Sequence, residues 1–116
     1  MIECGAHLHW TPYEIGENLT YISRGGNINP LECYRLAGAD LNAQNLTKKT
    51  ALHSAIEASQ KNVVKYLLEK GVDCTIIDAY GNTPMDVAKK LKKMEMMELL
   101  YEHAMKHQNG ASVLTR

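Results

Sequence analysis

The sequence predicts an all-α solenoid, a stack of helix–turn–helix units joined by hairpin loops. Two tetrads that recur in one register carry this reading. Gly5-Ala6-His7-Leu8, Gly38-Ala39-Asp40-Leu41 and Gly71-Val72-Asp73-Cys74 are related, and their glycines stand 33 residues apart. Thr50-Ala51-Leu52-His53 and Thr83-Pro84-Met85-Asp86 keep the same 33-residue separation. Self-similarity at a fixed period is the signature of repeat architectures, in which each unit buries its apolar face only against its neighbours.

The register divides residues 1–104 into four pieces of unequal quality. Residues 1–8 read as the last turn and exit loop of a repeat whose first helix is missing. Residues 12–41 form a degenerate repeat: Glu17-Asn18-Leu19-Thr20 stands at the tetrad, Gly26 falls on the inter-helix glycine and Gly38 on the C-cap. Trp10 and Tyr13 fall in the loop that precedes it. Residues 45–74 form the best repeat. Thr50 supplies an N-cap hydroxyl, and Leu52, Ala55 and Ile56 recur at helical spacing, predicting a helix over 51–58. Small residues Ala51, Ser54, Ala55 and Ala58 keep that helix slim, so that neighbouring units stack closely. Val63, Val64, Leu67 and Leu68 predict a second helix over 62–70, ended by Gly71 in the left-handed region.

Residues 78–104 are the last, C-terminal capping repeat. Asp78-Ala79-Tyr80-Gly81-Asn82 carries turn residues, and Pro84 suits a first helical position, where its missing N–H costs nothing. Met97, Leu100 and Tyr101 are expected to fill the second-helix core of this repeat. Residues 105–116 are expected to fray. The inter-helix glycine is replaced by Ser59 in the third piece and by Lys92 in the fourth. If left-handed, each costs about 1 kcal/mol relative to glycine. At least three repeats are usually needed for a stable stack, so two sound repeats and one degenerate one are marginal. The chain therefore reads as a truncated array, a fragment of a longer protein.

A 33-residue period with a Thr-Pro-Leu-His-type tetrad and a Gly-Ala-Asp-type tetrad resembles the ankyrin repeat. The resemblance covers about residues 5–104 and implies a protein–protein interaction or scaffolding module. A narrower likeness lies in Glu14-Ile15-Gly16-Glu17-Asn18-Leu19 through Arg24-Gly25-Gly26-Asn27-Ile28 and Leu36-Ala37-Gly38-Ala39-Asp40-Leu41. With Lys49-Thr50-Ala51-Leu52-His53 and Gly81-Asn82-Thr83-Pro84-Met85-Asp86, it resembles the C-terminal ankyrin segment of animal-type L-asparaginases, also called lysophospholipases. Glutaminases have a similar closing repeat, and Arf GTPase-activating proteins end in comparable ankyrin caps. The asparaginase likeness implies the alternative of a regulatory or oligomerising appendage to a catalytic domain upstream. In that family the catalytic threonines lie in the separate domain, and neither a Thr-Gly-Gly-Thr nor an Asp-Gly-Thr-Asp-like segment occurs here. No catalytic residue and no cofactor is expected in this segment.

Composition narrows the partners. Thirteen Lys plus Arg balance thirteen Asp plus Glu, so nothing global argues for nucleic acid or an anionic membrane. The apolar runs fall far short of the ~20 residues that cross a bilayer. The N-terminus has no basic region followed by an apolar stretch. Cys4, Cys33 and Cys74 are an odd, widely spaced set, which argues against a disulfide framework and suits a reducing compartment. A cytoplasmic location follows. The expected partner is another protein or the catalytic domain of the parent chain.

Clusters with possible chemistry each have a plainer explanation. Cys4, His7 and His9 lack a fourth zinc ligand nearby, and His7 aligns with the loop position Asp40. No metal site is expected. His53 has no nucleophile beside it and reads as the brace of its tetrad. His103 and His107, four apart, lack a third ligand. Lys89-Lys90-Leu91-Lys92-Lys93 is followed by Glu95, Glu98 and Glu102 and lacks interleaved aromatics, so it reads as a polar cap. Met94, Met96, Met97 and Met105 are expected to be mostly core.

Exposed aromatics dominate binding hot spots, which draws attention to Tyr80, Trp10 and Tyr13. In the repeat family partners meet the hairpin tips and the concave face of the first helices. The corresponding candidates are Leu46, Thr47, Lys49, Ser54 and Glu57, then Tyr80, Asn82, Val87 and Lys90, with Ala79 beside them.

Overall fold

A computed structural model describes residues 11–114, with side chains described except at residue 12 and residues 107–114. Six helices occupy this span: α1 Pro12–Gly25, α2 Ile28–Leu36, α3 Ala51–Glu57, α4 Lys61–Glu69, α5 Pro84–Lys90 and α6 Met94–Leu114. No strand occurs among the described residues. The first helices α1, α3 and α5 pack side by side as one layer, and the second helices α2, α4 and α6 form the other. This is the predicted all-α solenoid.

The short helices start where the side chains cap them. Thr50 and Thr83 each accept a hydrogen bond from the amide three residues on, and the His53 and Asp86 side chains accept one from the threonine amides. Reciprocal capping satisfies two donors that the helix start would otherwise leave open. The small face predicted for α3 is realised, with Ala51, Ser54 and Ala55 buried. Leu52, Ile56, Val63, Val64 and Leu67 fill the core of the same repeat, and Leu19 and Leu31 that of the one before it.

Chain reversals use left-handed backbone at repeat spacing. Gly26 has φ +79°, and its equivalents Ser59 and Lys92 have φ +59° and +57°. The two replacements thus adopt the conformation that glycine would take without strain. Lys48 at φ +65° does the same in the first hairpin, where the second hairpin has Gly81. That position is a further departure, visible only once the hairpins are aligned.

Several expectations are corrected. The first helix of the degenerate repeat starts well before residue 17. Thr11 accepts from the Glu14 amide at 3.2 Å, and Glu14 accepts from the Thr11 amide at 2.8 Å. Tyr13 is therefore a residue of α1 and not of a loop, and the Thr11-Pro12 pair was the signal. In the last repeat Met96, with Leu100, takes the inner position, whereas Tyr101 is exposed. Met94 and Met105 are exposed as well, so only Met96 and the partly buried Met97 serve the core. Backbone from 105 to 114 continues α6, where fraying was expected. Cys33 is disulfide-bonded and Cys74 is a free thiol, which corrects the expectation of no disulfide. The partial repeat 1–8, Trp10 and the Cys4, His7 and His9 cluster also lie outside the described residues.

Candidate interaction surface

The two hairpins are built alike, and their tips carry the exposed candidates. Asn45 closes the first: its Oδ1 accepts from the amides of Thr47 and Lys49, both at 3.0 Å. Asp78 closes the second, accepting from the amides of Tyr80 at 2.9 Å and Asn82 at 3.0 Å. These local side-chain bonds replace the strand partners that an isolated hairpin lacks. The tips are then joined, since the Ala79 amide donates to the Thr47 carbonyl at 2.9 Å. Gln44 adds a second tie, donating to the Ile77 carbonyl at 3.2 Å. Leu46 and Tyr80 project from these braced tips, with Tyr80 73% exposed.

His53 connects the second hairpin to the best repeat. The Thr50 amide donates to His53 Nδ1 at 3.1 Å, so the ring hydrogen sits on Nε2, which meets the Asn82 carbonyl at 2.9 Å. The ring is fully buried. It is a brace between units, as its place in the tetrad implies.

Beneath the Tyr80 tip lies a shallow depression of about 180 Å³, bounded by Lys49, Glu57, Tyr80, Asn82, Val87 and Lys90, with Asp78 and Leu91. Six of the nine candidates thus meet at one place. Glu57 organises its floor, pairing with Lys49 Nζ at 2.7 Å and with Arg24 Nη1 at 2.8 Å. Burial alone would raise the Glu57 carboxyl, but the bonds from Lys49 and then Arg24 hold it below the ordinary carboxylate range. Lys90 is exposed at the opposite edge. Leu46 belongs instead to a neighbouring hollow of about 340 Å³ with Tyr13, Glu14, Glu17 and Asn18. Thr47 lies on the hairpin between the two.

Two candidates do not present a contact surface. Ser54 is buried against its neighbours in the first-helix layer, and Val87 is buried with only its edge at the depression. Helical spacing alone does not separate such buried positions from exposed ones. Sequence reasoning also missed Arg24, which reaches Glu57 across a full repeat, and Tyr21, which is exposed on α1. The signal for Arg24 was its separation of 33 residues from Glu57. The metal-type pair His103 and His107 gains no support, since only His103 has a described side chain, half-buried between α4 and α6.

Residues 19–111 match the family model for ankyrin repeats, in three copies. The chain belongs to the ankyrin-repeat family. The ankyrin segment is 34% identical to an L-asparaginase from Dirofilaria immitis over 80% of its length. It is 30% identical to the mitochondrial liver glutaminase of Rattus norvegicus over 74%, and 34% identical to NF-kappa-B inhibitor alpha of Gallus gallus over 66%. The chain spans only 16%, 14% and 25% of those proteins, respectively. Ankyrin repeats are protein–protein interaction modules. No helix among the described residues is long and apolar enough to cross a membrane.

Proposed function

We propose that this ankyrin segment binds a protein partner through the hairpin tips and the depression beneath Tyr80. The observation that carries the proposal is the convergence of Lys49, Glu57, Tyr80, Asn82 and Lys90 on one concave spot. A rigid aromatic beside paired and free charges is the composition of a binding hot spot. Asp78 fixes the backbone of the tip and Arg24 holds the Glu57 side chain, so part of the spot is ordered before binding. Quantitative affinity capture from cytoplasmic extract, followed by mass spectrometry, tests this. Partners should be lost from a Tyr80→Ala/Lys90→Glu double variant and kept by Tyr21→Ala. A capture profile unchanged by the double variant would refute it.

The segment is proposed to act in the cytoplasm, against the Cys33 disulfide that such a compartment disfavours, with repeats at 12–41, 45–74 and 78–104, and without catalysis of its own. A second reading makes it a regulatory or oligomerising appendage of an asparaginase-type amidohydrolase. Its support is the identity to the Dirofilaria immitis L-asparaginase over 80% of the chain. The reading frame upstream of Met1 decides: a Thr-Gly-Gly-Thr segment there supports the appendage, and further ankyrin repeats alone favour an adaptor. Turnover of asparagine or lysophospholipid by purified residues 1–116 would refute the absence of catalysis.

A further inference from the structure

The chain is neutral as a whole, yet its charge is sorted between the two helical layers. The hairpins and first helices of the last two repeats, residues 45–58 and 78–93, hold six lysines and three acids. Two of the acids that follow in sequence sit in the other layer. Glu95 pairs with Lys61 of α4 at 3.6 Å, and Glu102 lies in the cleft between α4 and α6 with Lys65 and Lys106. Sequence order puts these acids beside the α5 lysines, and the fold takes them away.

The acids on the first-helix side are all engaged. Arg24 holds Oε1 of Glu57 and Lys49 holds Oε2. Asp78 is buried and accepts from the Tyr80 and Asn82 amides. Asp86 accepts from the Thr83 amide at 3.1 Å, and Glu14 and Glu17 of α1 accept from those of Thr11 and Leu46. The lysines are freer. Lys48, Lys89, Lys90 and Lys92 are exposed, and among the described residues none makes an ion pair or a side-chain hydrogen bond. Asp86 acts on Lys89 and Lys90 only as a charge at longer range.

We propose that the depression beneath Tyr80 takes an extended acidic segment of its partner, an Asp or Glu beside an apolar residue. This rests on the reading of that surface as the partner site. The carboxylate meets Lys90 on the open edge, with Lys49 across the floor, while the apolar side chain settles on Leu91 and Tyr80. A carboxylate suits the spot better than a phosphate. Phosphate recognition favours the two-pronged guanidinium, and Arg24 is already closed on Glu57. A nucleic-acid strand fits worse still, since Tyr80 is the one aromatic of the two hairpins and gives no run of stacking platforms.

Selection of phage-displayed random dodecapeptides on the full 116-residue chain tests the proposal. Enriched peptides should carry Asp or Glu next to an apolar residue. A synthetic copy of the most enriched should weaken about ten-fold between about 0.1 M and about 1 M salt, where the screening length falls from about 10 Å to about 3 Å. Lys90→Glu should weaken it about ten-fold or more. Lys65→Glu makes the same change of net charge on the α4 side and should leave it bound, with circular dichroism confirming the helices of each variant. Peptides without acidic bias that Tyr80→Ala/Lys90→Glu still loses overturn the acidic assignment and leave the surface standing. Acidic peptides that the double variant retains overturn both. No enrichment, or equal loss from Lys65→Glu and Lys90→Glu, overturns the proposal. So does a phosphoserine copy that binds more tightly than its glutamate counterpart.

Discussion

His53 meets no solvent, yet both of its ring nitrogens are engaged, one within its own repeat and one on the next. Alanine there would leave the Asn82 carbonyl without its donor and open a void. Urea unfolding of His53→Ala should show a loss of about 2 kcal/mol or more. The left-handed residues act in the opposite sense. Lys92→Gly should raise stability by about 1 kcal/mol in the same assay, because its φ of +57° strains any side chain. Ser59→Gly should gain less, since the Ser59 hydroxyl accepts a bond from Lys93. A third residue-scale effect joins α2 to α4. Arg35 bonds Glu32, Tyr66 donates its hydroxyl to the same carboxylate, and together they hold Glu32 at about 2. A depressed carboxyl contributes stability above its unfolded value and loses it as pH falls through the folded one. Stability should therefore decline between about pH 4.5 and 2, and Glu32→Gln should flatten that part of the curve. Burial, then the bond to Glu32, pushes the Tyr66 phenol up to about 12, so its contribution disappears only as pH rises from 10 through that value.

Among the elements, α1 is held closest to the hairpin that follows it. A Cβ on Gly16 would lie 2.2 Å from the Gln44 carbonyl oxygen, and that backbone is fixed by the Asn45 turn. Gly16→Ala should push helix and hairpin apart and lower the melting temperature by several degrees, read by circular dichroism. In sequence, Gly16 showed only as part of a resemblance, because a close approach between elements leaves no periodic trace. Helices α3 and α4 and the start of α5 were legible to within a residue, since Thr50, Gly71 and the Thr83-Pro84 pair mark these limits. The start of α1 was misplaced because register drew attention to residues 17–20, while local capping chemistry lay at Thr11 and Glu14. The face of α6 was misjudged for a related reason. Its two apolar stripes defeat a rule that assigns every helical hydrophobic to the core.

Across the molecule, stability is a sum of short-range repeat contacts, and three repeats lie near the lower limit for an independent stack. Attaching further repeats upstream should raise the melting temperature, and a β-rich circular dichroism spectrum would contradict the fold. The candidate surface was partly legible: the period brought Lys49, Glu57, Tyr80, Asn82 and Lys90 to one depression, but it could not show that Ser54 and Val87 are buried. Period fixes position along the stack, and only packing fixes direction across it.

The bond from His53 to the Asn82 carbonyl has a direction. The donor belongs to the earlier repeat, and the accepting strand of backbone leads into the later one. Peeling the last repeat away from the array must break this clasp once α6 has come off, and tension would then be borne by an imidazole sealed from water. A protein gripping the Tyr80 loop would hold the clasp shut from outside, so occupancy of the tip should slow mechanical unzipping of the last repeat.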